Sequence, residues 1–144
     1  MLIKGSITAL VTPMNEKGDL DYDSLEKLIN YQINSGISGL VAVGTTGESA
    51  TIDFKDHIKL IEFFVKINKG RVHIIAGTGA NSTEEALHLT KEAKSAGADA
   101  ALLVSPYYNK PPQDGIYYHH MKIADEIDIP QILYNVPSRT ASFI

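Results

Sequence analysis

The chain has 144 residues, 44% of them hydrophobic and 21% charged, with a net charge of −4 and no cysteine. That length fits one domain with a sizeable core, and the acidic balance lacks the basic footprint of a nucleic-acid binder. Without cysteine there are no disulfides or thiolate metal sites, which fits a reducing compartment, the cytoplasm.

The opening MLIKGSITALVTPMNEKGDL holds an apolar run too short for a membrane span and has no small-residue cleavage site, so it reads as a strand. Apolar runs rich in Val, Ile and Leu recur at Ser6–Thr12, Gly39–Gly44, Val72–Gly77, Ala100–Ser105 and Pro130–Asn135. Continuous runs of this kind suit strands covered on both faces, as in a parallel sheet. Amphipathic segments separate them. Leu25, Leu28, Ile29 and Ile33 share one helical face, and Ile58, Ile61, Phe64 and Val65 share another. Before the first of these helices, Asp19-Leu20-Asp21-Tyr22-Asp23 resembles half a calcium loop. The glycine and closing glutamate are missing, and its acids favour a helix start. The third helix opens on Ser82-Thr83-Glu84-Glu85, a capping box, and closes at Gly97; a fourth covers about Asp114 to Ile127. On that fourth helix His119-His120 has no partner at metal-binding spacing, and the pair is expected to face solvent. No metal or cofactor is implied.

The order is β-α-β-α-β-α-β-α-β, and right-handed crossovers make the sheet parallel with helices outside. Two α/β architectures fit. One is a doubly wound five-stranded domain; the other is the first five strands and four helices of a TIM (β/α)8 barrel, which needs about 250 residues in all. Both put function at the carboxyl ends of the strands.

After the second strand, Gly44-Thr45-Thr46-Gly47-Glu48-Ser49 offers exposed amides and two hydroxyls, a cradle for a small carboxylate or a polar turn. After the third, Gly77-Thr78-Gly79-Ala80-Asn81-Ser82 resembles a dinucleotide fingerprint without its third glycine, and on the wrong strand. After the fourth, Ser105-Pro106-Tyr107-Tyr108-Asn109-Lys110-Pro111-Pro112 holds two tyrosines on a stiff loop, catalytic phenols or interface aromatics. After the fifth, Ile132-Leu133-Tyr134-Asn135-Val136-Pro137-Ser138-Arg139-Thr140 delivers a phenol and a guanidinium, the usual fork for a carboxylate or else a surface ion pair.

In combination and in this order, G-T-T-G-E-S, G-T-G-A-N, S-P-Y-Y-N-K-P and Y-N-V-P-S-R-T, with the opening G-S-I-T-A-L-V-T-P, resemble the dihydrodipicolinate synthase family across essentially the whole chain. Sister aldolases for N-acetylneuraminate or 2-keto-3-deoxy sugar acids share the barrel and the glycine loop. The N-V-P-S-R-T segment and paired tyrosines look like the synthase branch. The resemblance implies a (β/α)8-barrel lyase of lysine (diaminopimelate) biosynthesis. Such an enzyme condenses pyruvate, held as a Schiff base, with L-aspartate-4-semialdehyde to give 4-hydroxy-tetrahydrodipicolinate. It implies that Thr45 and Thr46 meet the pyruvate carboxylate, that Thr45, Tyr134 and Tyr108 relay protons, and that Arg139 receives the aldehyde's carboxylate. Tyr108 would cross a subunit interface in a homotetramer built from two tight dimers.

The family's nucleophile is a lysine on the sixth strand. Lys55, Lys59, Lys91, Lys94 and Lys110 fall on polar helix faces or loops, so the expectation is that residues 1–144 are the N-terminal part of one barrel domain and that the lysine lies beyond them. Lysine feedback is a further implication, through positions matching Ser49, Ala50, His57, Asn81, Glu85 and Tyr107. Phe54 departs, standing where many inhibited members carry histidine. A self-contained doubly wound binding domain and a sister aldolase are the competing readings.

Overall fold

Five parallel strands alternate with helices, and every strand pairs with its neighbour in the chain. The computed structural model describes residues 3–144. The strands are β1 (Ile7–Ala9), β2 (Gly39–Ala42), β3 (His73–Gly77), β4 (Ala100–Val104) and β5 (Gln131–Tyr134). The helices are α1 (Tyr22–Asn34), α2 (Phe54–Asn68), α3 (Thr83–Ala96), α4 (Gln113–Glu126) and the single turn α5 (Pro137–Thr140). The sheet order β1-β2-β3-β4-β5 decides between the two architectures. A doubly wound sheet reverses at a switch point, whereas unbroken sequential order is that of a barrel. This is a sector of a (β/α)8 barrel.

Local chemistry sets the helix ends. Asp21 caps α1, its carboxylate accepting from the Ser24 amide at 2.9 Å and from the Ser24 hydroxyl at 2.6 Å. These bonds hold its carboxyl below the ordinary aspartate range, so the acidic run is a helix start. Asp53 caps α2 in the same way, through the Lys55 amide. At α3 half of the expected capping box forms: Ser82 Oγ accepts from the Glu85 amide at 3.4 Å. Gly97, at φ +94°, closes α3 with its amide on the carbonyls of Ala93 and Lys94.

Register assigns the two faces of the sheet. Leu40 lies beside Ile74 and Ala42 beside Ala76, and these pack under α1 and α2 with Leu25, Ile29, Leu60, Ile61 and Phe64. Farther along, Ala101 and Leu103 meet Ile123, Ile127 and Ile129 around α4. The alternate residues Val41, Ile75, Ala100 and Leu102 form the inner face. The interior strand β2 is buried throughout, which is why its sequence is apolar without alternation.

Two expectations need correction. The first strand has three residues, not the run Ser6–Thr12, because Leu10 makes the last ladder bond to Val41 and Thr12 turns aside to bond Gly47. His119 and His120 are buried, not solvent-facing. His119 Nδ1 lies 2.9 Å from Thr83 Oγ1, and His120 Nε2 lies 3.4 Å from Ser105 Oγ. The other nitrogens, His119 Nε2 and His120 Nδ1, are buried with no partner among the described residues. Tyr117 and Tyr118 take the exposed face instead.

Each outer strand has one unpaired edge. Beside those edges apolar side chains face solvent, with Val11 at 50% exposure and Leu133 at 48%. The 144-residue polypeptide is therefore expected to self-associate and to bind a hydrophobic dye. A dye-silent monomer in sedimentation would contradict this. The histidines give a second expectation. Burial, reinforced by the neighbouring ring, pushes His119 down to about 4, and burial lowers His120. An unfolded chain takes up these protons near pH 6.5 while the folded one does not. Stability is thus full above pH 6.5 and falls toward pH 4. The denaturation midpoint should be lower at pH 5 than at pH 7.5, and the gap should narrow in His119→Gln.

Candidate active site

The loops following β2 to β5 meet at the carboxyl rim of the sheet, where open α/β folds collect their ligands. After β2 the chain bends at Val43 and passes through a 3₁₀ turn, Thr45–Gly47. The Gly44 carbonyl accepts from the amides of Gly47 at 2.9 Å and Ser49 at 3.3 Å, and Thr12 Oγ1 donates to the Gly47 carbonyl at 2.7 Å. The turn is anchored from inside. Thr45 is half-buried and Thr46 exposed.

The glycines after β3 have a packing explanation. A Cβ on Gly77 would sit 2.9 Å from Gly44 Cα and closer still to the Val43 carbonyl; one on Gly79 would run into the Val104 backbone. Gly77 and Gly79 let three strand ends approach, a role unrelated to a dinucleotide. His57, on α2, reaches the same place: its Nε2 lies 2.7 Å from the Gly77 carbonyl.

The loop after β4 divides its tyrosines. Tyr107 is half-buried, and burial followed by the Glu85 charge raises its phenol above the usual range. Asn81 Nδ2 donates to the Tyr107 carbonyl at 3.4 Å. Tyr108 is 88% exposed at φ +72°, thrust away from its own rim. After β5, Pro137 opens the turn that carries Arg139. Thr140 Oγ1 bonds the carbonyls of Val136 (3.2 Å) and Ser142 (3.0 Å), and Ser142 Oγ donates to the Pro106 carbonyl at 3.0 Å. The arginine's turn is thereby tied to the tyrosine loop.

A cleft of about 310 Å³ lies between these loops, lined among others by Thr45, Ser49, Ala50, Tyr107, Arg139 and Thr140. Beside it Thr45 and Tyr134 border a void of about 10 Å³ with Gly44, Gly77, Gly79 and Val104, room for about one water. Thr45, Ser49 and Val104 line both spaces, so cleft and void adjoin. Thr45, from the turn after β2, is thus brought together with Tyr134, the last residue of β5, and Arg139, in the turn that follows β5. Thr46 and Tyr108 line neither space. Of the residues singled out for lysine feedback, Ser49, Ala50 and Tyr107 line the cleft, Asn81 and Glu85 flank Tyr107, and His57 is buried against Gly77. Phe54 sets its ring edge-on to His88, at 5.0 Å. No lysine lines the cleft or the void, and among the described residues Arg139 makes no ion pair. Sequence reasoning missed Val104, Val136 and Thr140 as lining residues, and the bend at Val43.

Residues 2–144 match the Dihydrodipicolinate synthetase family. The 4-hydroxy-tetrahydrodipicolinate synthase of Pseudomonas putida is 61% identical over 140 residues, which are 97% of this chain and 48% of that protein. A crystal structure of the chloride-inhibited dihydrodipicolinate synthase of Acinetobacter baumannii, complexed with pyruvate, is 54% identical. It superposes with a TM-score of 0.97, covering 99% of this chain and 49% of the other. The enzyme from Cyanidioschyzon merolae, solved with lysine bound, is 42% identical with a TM-score of 0.93, over 96% of this chain and 48% of the other. The chain spans about half the length of the curated relatives it matches.

Proposed function

We propose, for a chain that belongs to the dihydrodipicolinate synthetase family, a role as the N-terminal part of a single barrel domain of a class I pyruvate aldolase in lysine biosynthesis. The reaction is condensation of pyruvate, as a Schiff base, with L-aspartate-4-semialdehyde to give 4-hydroxy-tetrahydrodipicolinate. The observation that carries the reading is the convergence of Thr45, Tyr134 and Arg139 on an adjoining cleft and void, with Thr45 lining both. Its pyruvate-bound neighbour from Acinetobacter baumannii supports the choice of keto acid.

The chemistry follows from those groups. A lysine amine adds to the ketone of pyruvate and water leaves, giving an imine; the amine comes from the half of the relatives' length that this chain does not span. Loss of a methyl proton gives an enamine, whose carbon attacks the aldehyde. Each step moves protons in a confined space. The Tyr134 phenol and Thr45 hydroxyl, which share the void, can both give and receive them without stranding a charge. Thr45 and Thr46 receive the pyruvate carboxylate, Thr46 from the rim. Arg139, which lines the cleft and makes no ion pair among the described residues, takes the carboxylate of the aldehyde.

The assembly is proposed to be a cytoplasmic homotetramer, a dimer of dimers. The exposure of Tyr108 supports its completing the relay in a neighbour's site. Among the described residues no helix is long and apolar enough to cross a membrane. Ser49, Ala50, His57, Asn81, Glu85 and Tyr107 are proposed to form a lysine-binding regulatory site, a reading that the lysine-bound Cyanidioschyzon merolae structure supports.

In the complete protein, Tyr134→Phe should lower kcat about a hundredfold or more, as expected for a positioned acid–base group. Arg139→Ala should raise the KM for the aldehyde roughly tenfold or more and leave that for pyruvate nearly unchanged. Steady-state kinetics with each substrate varied checks both; wild-type constants would refute the assignments. L-Lysine at millimolar concentration should inhibit the wild type and inhibit Glu85→Thr far less. Equal titration curves would reject the regulatory site.

A further inference from the structure

We propose that His57 is a positioning residue for the pyruvate-binding turn, acting through the Gly77 carbonyl; the ligand named here rests on the reading above. Three observations converge on it. The first is strain. Val43 is buried and β-branched, yet its φ is +53°, a left-handed conformation that its branched Cβ crowds. Such a residue persists only where its surroundings over-determine it. Val43 immediately precedes Gly44 and Thr45, so its bend sets the direction in which the carboxylate-binding turn leaves β2.

The second observation identifies those surroundings. The backbone of Gly77 lies against the bend so closely that any Cβ there would meet the Val43 carbonyl and Gly44 Cα. The end of β3 is therefore the surface against which the bend is held. A sideways shift of Gly77 would free Val43 to relax toward an ordinary strand conformation and would swing Thr45 with it.

The third observation is what fixes Gly77. Its carbonyl takes a 2.7 Å hydrogen bond from His57 Nε2, twenty residues earlier and on a different element, in a buried setting. A carbonyl only accepts, so Nε2 carries the hydrogen, and in the neutral ring Nδ1 is the acceptor. Burial lowers the pKa of the ring, which favours that neutral form. His57 lines neither the cleft nor the void. Its influence on Thr45 passes through Gly77 and Val43, each in direct packing with the next.

The test uses the complete protein and three variants. Glutamine at 57 can place its amide nitrogen near the position of Nε2. Leucine cannot donate, and asparagine is too short to reach. Two readouts are taken in lysine-free buffer: amide hydrogen exchange of residues 43–47, which involves no ligand, and the pyruvate concentration giving half-maximal borohydride trapping. His57→Leu should speed exchange of this segment and raise the half-trapping concentration, each about tenfold, the size of one lost buried hydrogen bond. His57→Gln should stay within about twofold of wild type on both. If the leucine variant is insoluble, His57→Asn takes its place with the same expectation. Wild-type values in the leucine or asparagine variant, or equal damage in the glutamine variant, would overturn the proposal. Failure of the wild-type protein to be trapped at all would reject the pyruvate reading instead, and the exchange measurement would still decide the role of His57.

Discussion

Parallel pairing of each strand with its chain neighbour is the constraint from which the rest of the structure follows. A right-handed crossover returns the chain to the start of the next strand, so all five carboxyl ends come to one rim and all four crossover helices to one face. Alternation along the strands does the rest. Leu40, Ala42, Ile74 and Ala76 go under the helices, while Val41, Ile75 and Leu102 go to the inner face. The rim loops are left free of core duty, which is why they can carry hydroxyls, phenols and a guanidinium.

The rim is held together mainly by backbone contact. Gly77 and Gly79 let adjacent strand ends approach more closely than any side chain would permit, and Thr12 and Ser142 bond the carbonyls of Gly47 and Pro106 on neighbouring loops. The resulting cleft is lined by several hydroxyls, one cation, Arg139, and one carboxylate, Glu48. At the open rim an arginine–carboxylate pair gains only about 1 kcal/mol at 4 Å in water-like dielectric, against about 4 kcal/mol once partly shielded. As the proposed carboxylate anchor, Arg139 would therefore be weak while the cleft is open to water and stronger once it is covered. In the proposed assembly the neighbour's Tyr108 is the group able to cover it.

The sequence showed the elements more clearly than their arrangement. Apolar runs marked all five strands, Asp21 and Ser82 marked helix starts, and Gly97 marked an end, because burial and capping leave local signatures. Strand order leaves none, since the same βα rhythm serves a doubly wound sheet and a barrel; only pairing separates them. His119 and His120 were misjudged because polar type suggested the surface. The four residues Tyr117 to His120 circle the helix, so two of them must turn inward, and here the tyrosines take the outside. Val43 was invisible for a different reason. A valine at positive φ violates its own propensity, and what stabilises it, the absence of a side chain at Gly77, lies a strand away. The rim residues Thr45, Tyr134 and Arg139 were legible as chemistry at strand ends, but not that they border one cleft and the void beside it.

That shared cleft bears on how regulation could operate in the proposed enzyme. Ser49, Ala50 and Tyr107, read as regulatory, line the same space as Thr45 and Arg139, read as catalytic and substrate-binding. At about 310 Å³ that space is at the lower end for a single small-molecule site, so it is not roomy enough for independent ligands that ignore each other. Tyr107 is the dividing wall. It touches the cleft, its loop is bonded to Asn81 on one side, and Ser142 ties the adjoining Pro106 to the arginine's turn on the other. A ligand that moved Tyr107 would move the surroundings of Arg139 with it, and by reciprocity the aldehyde's carboxylate on Arg139 would alter affinity at the tyrosine. No long pathway is needed, because the two sets of residues already share a wall.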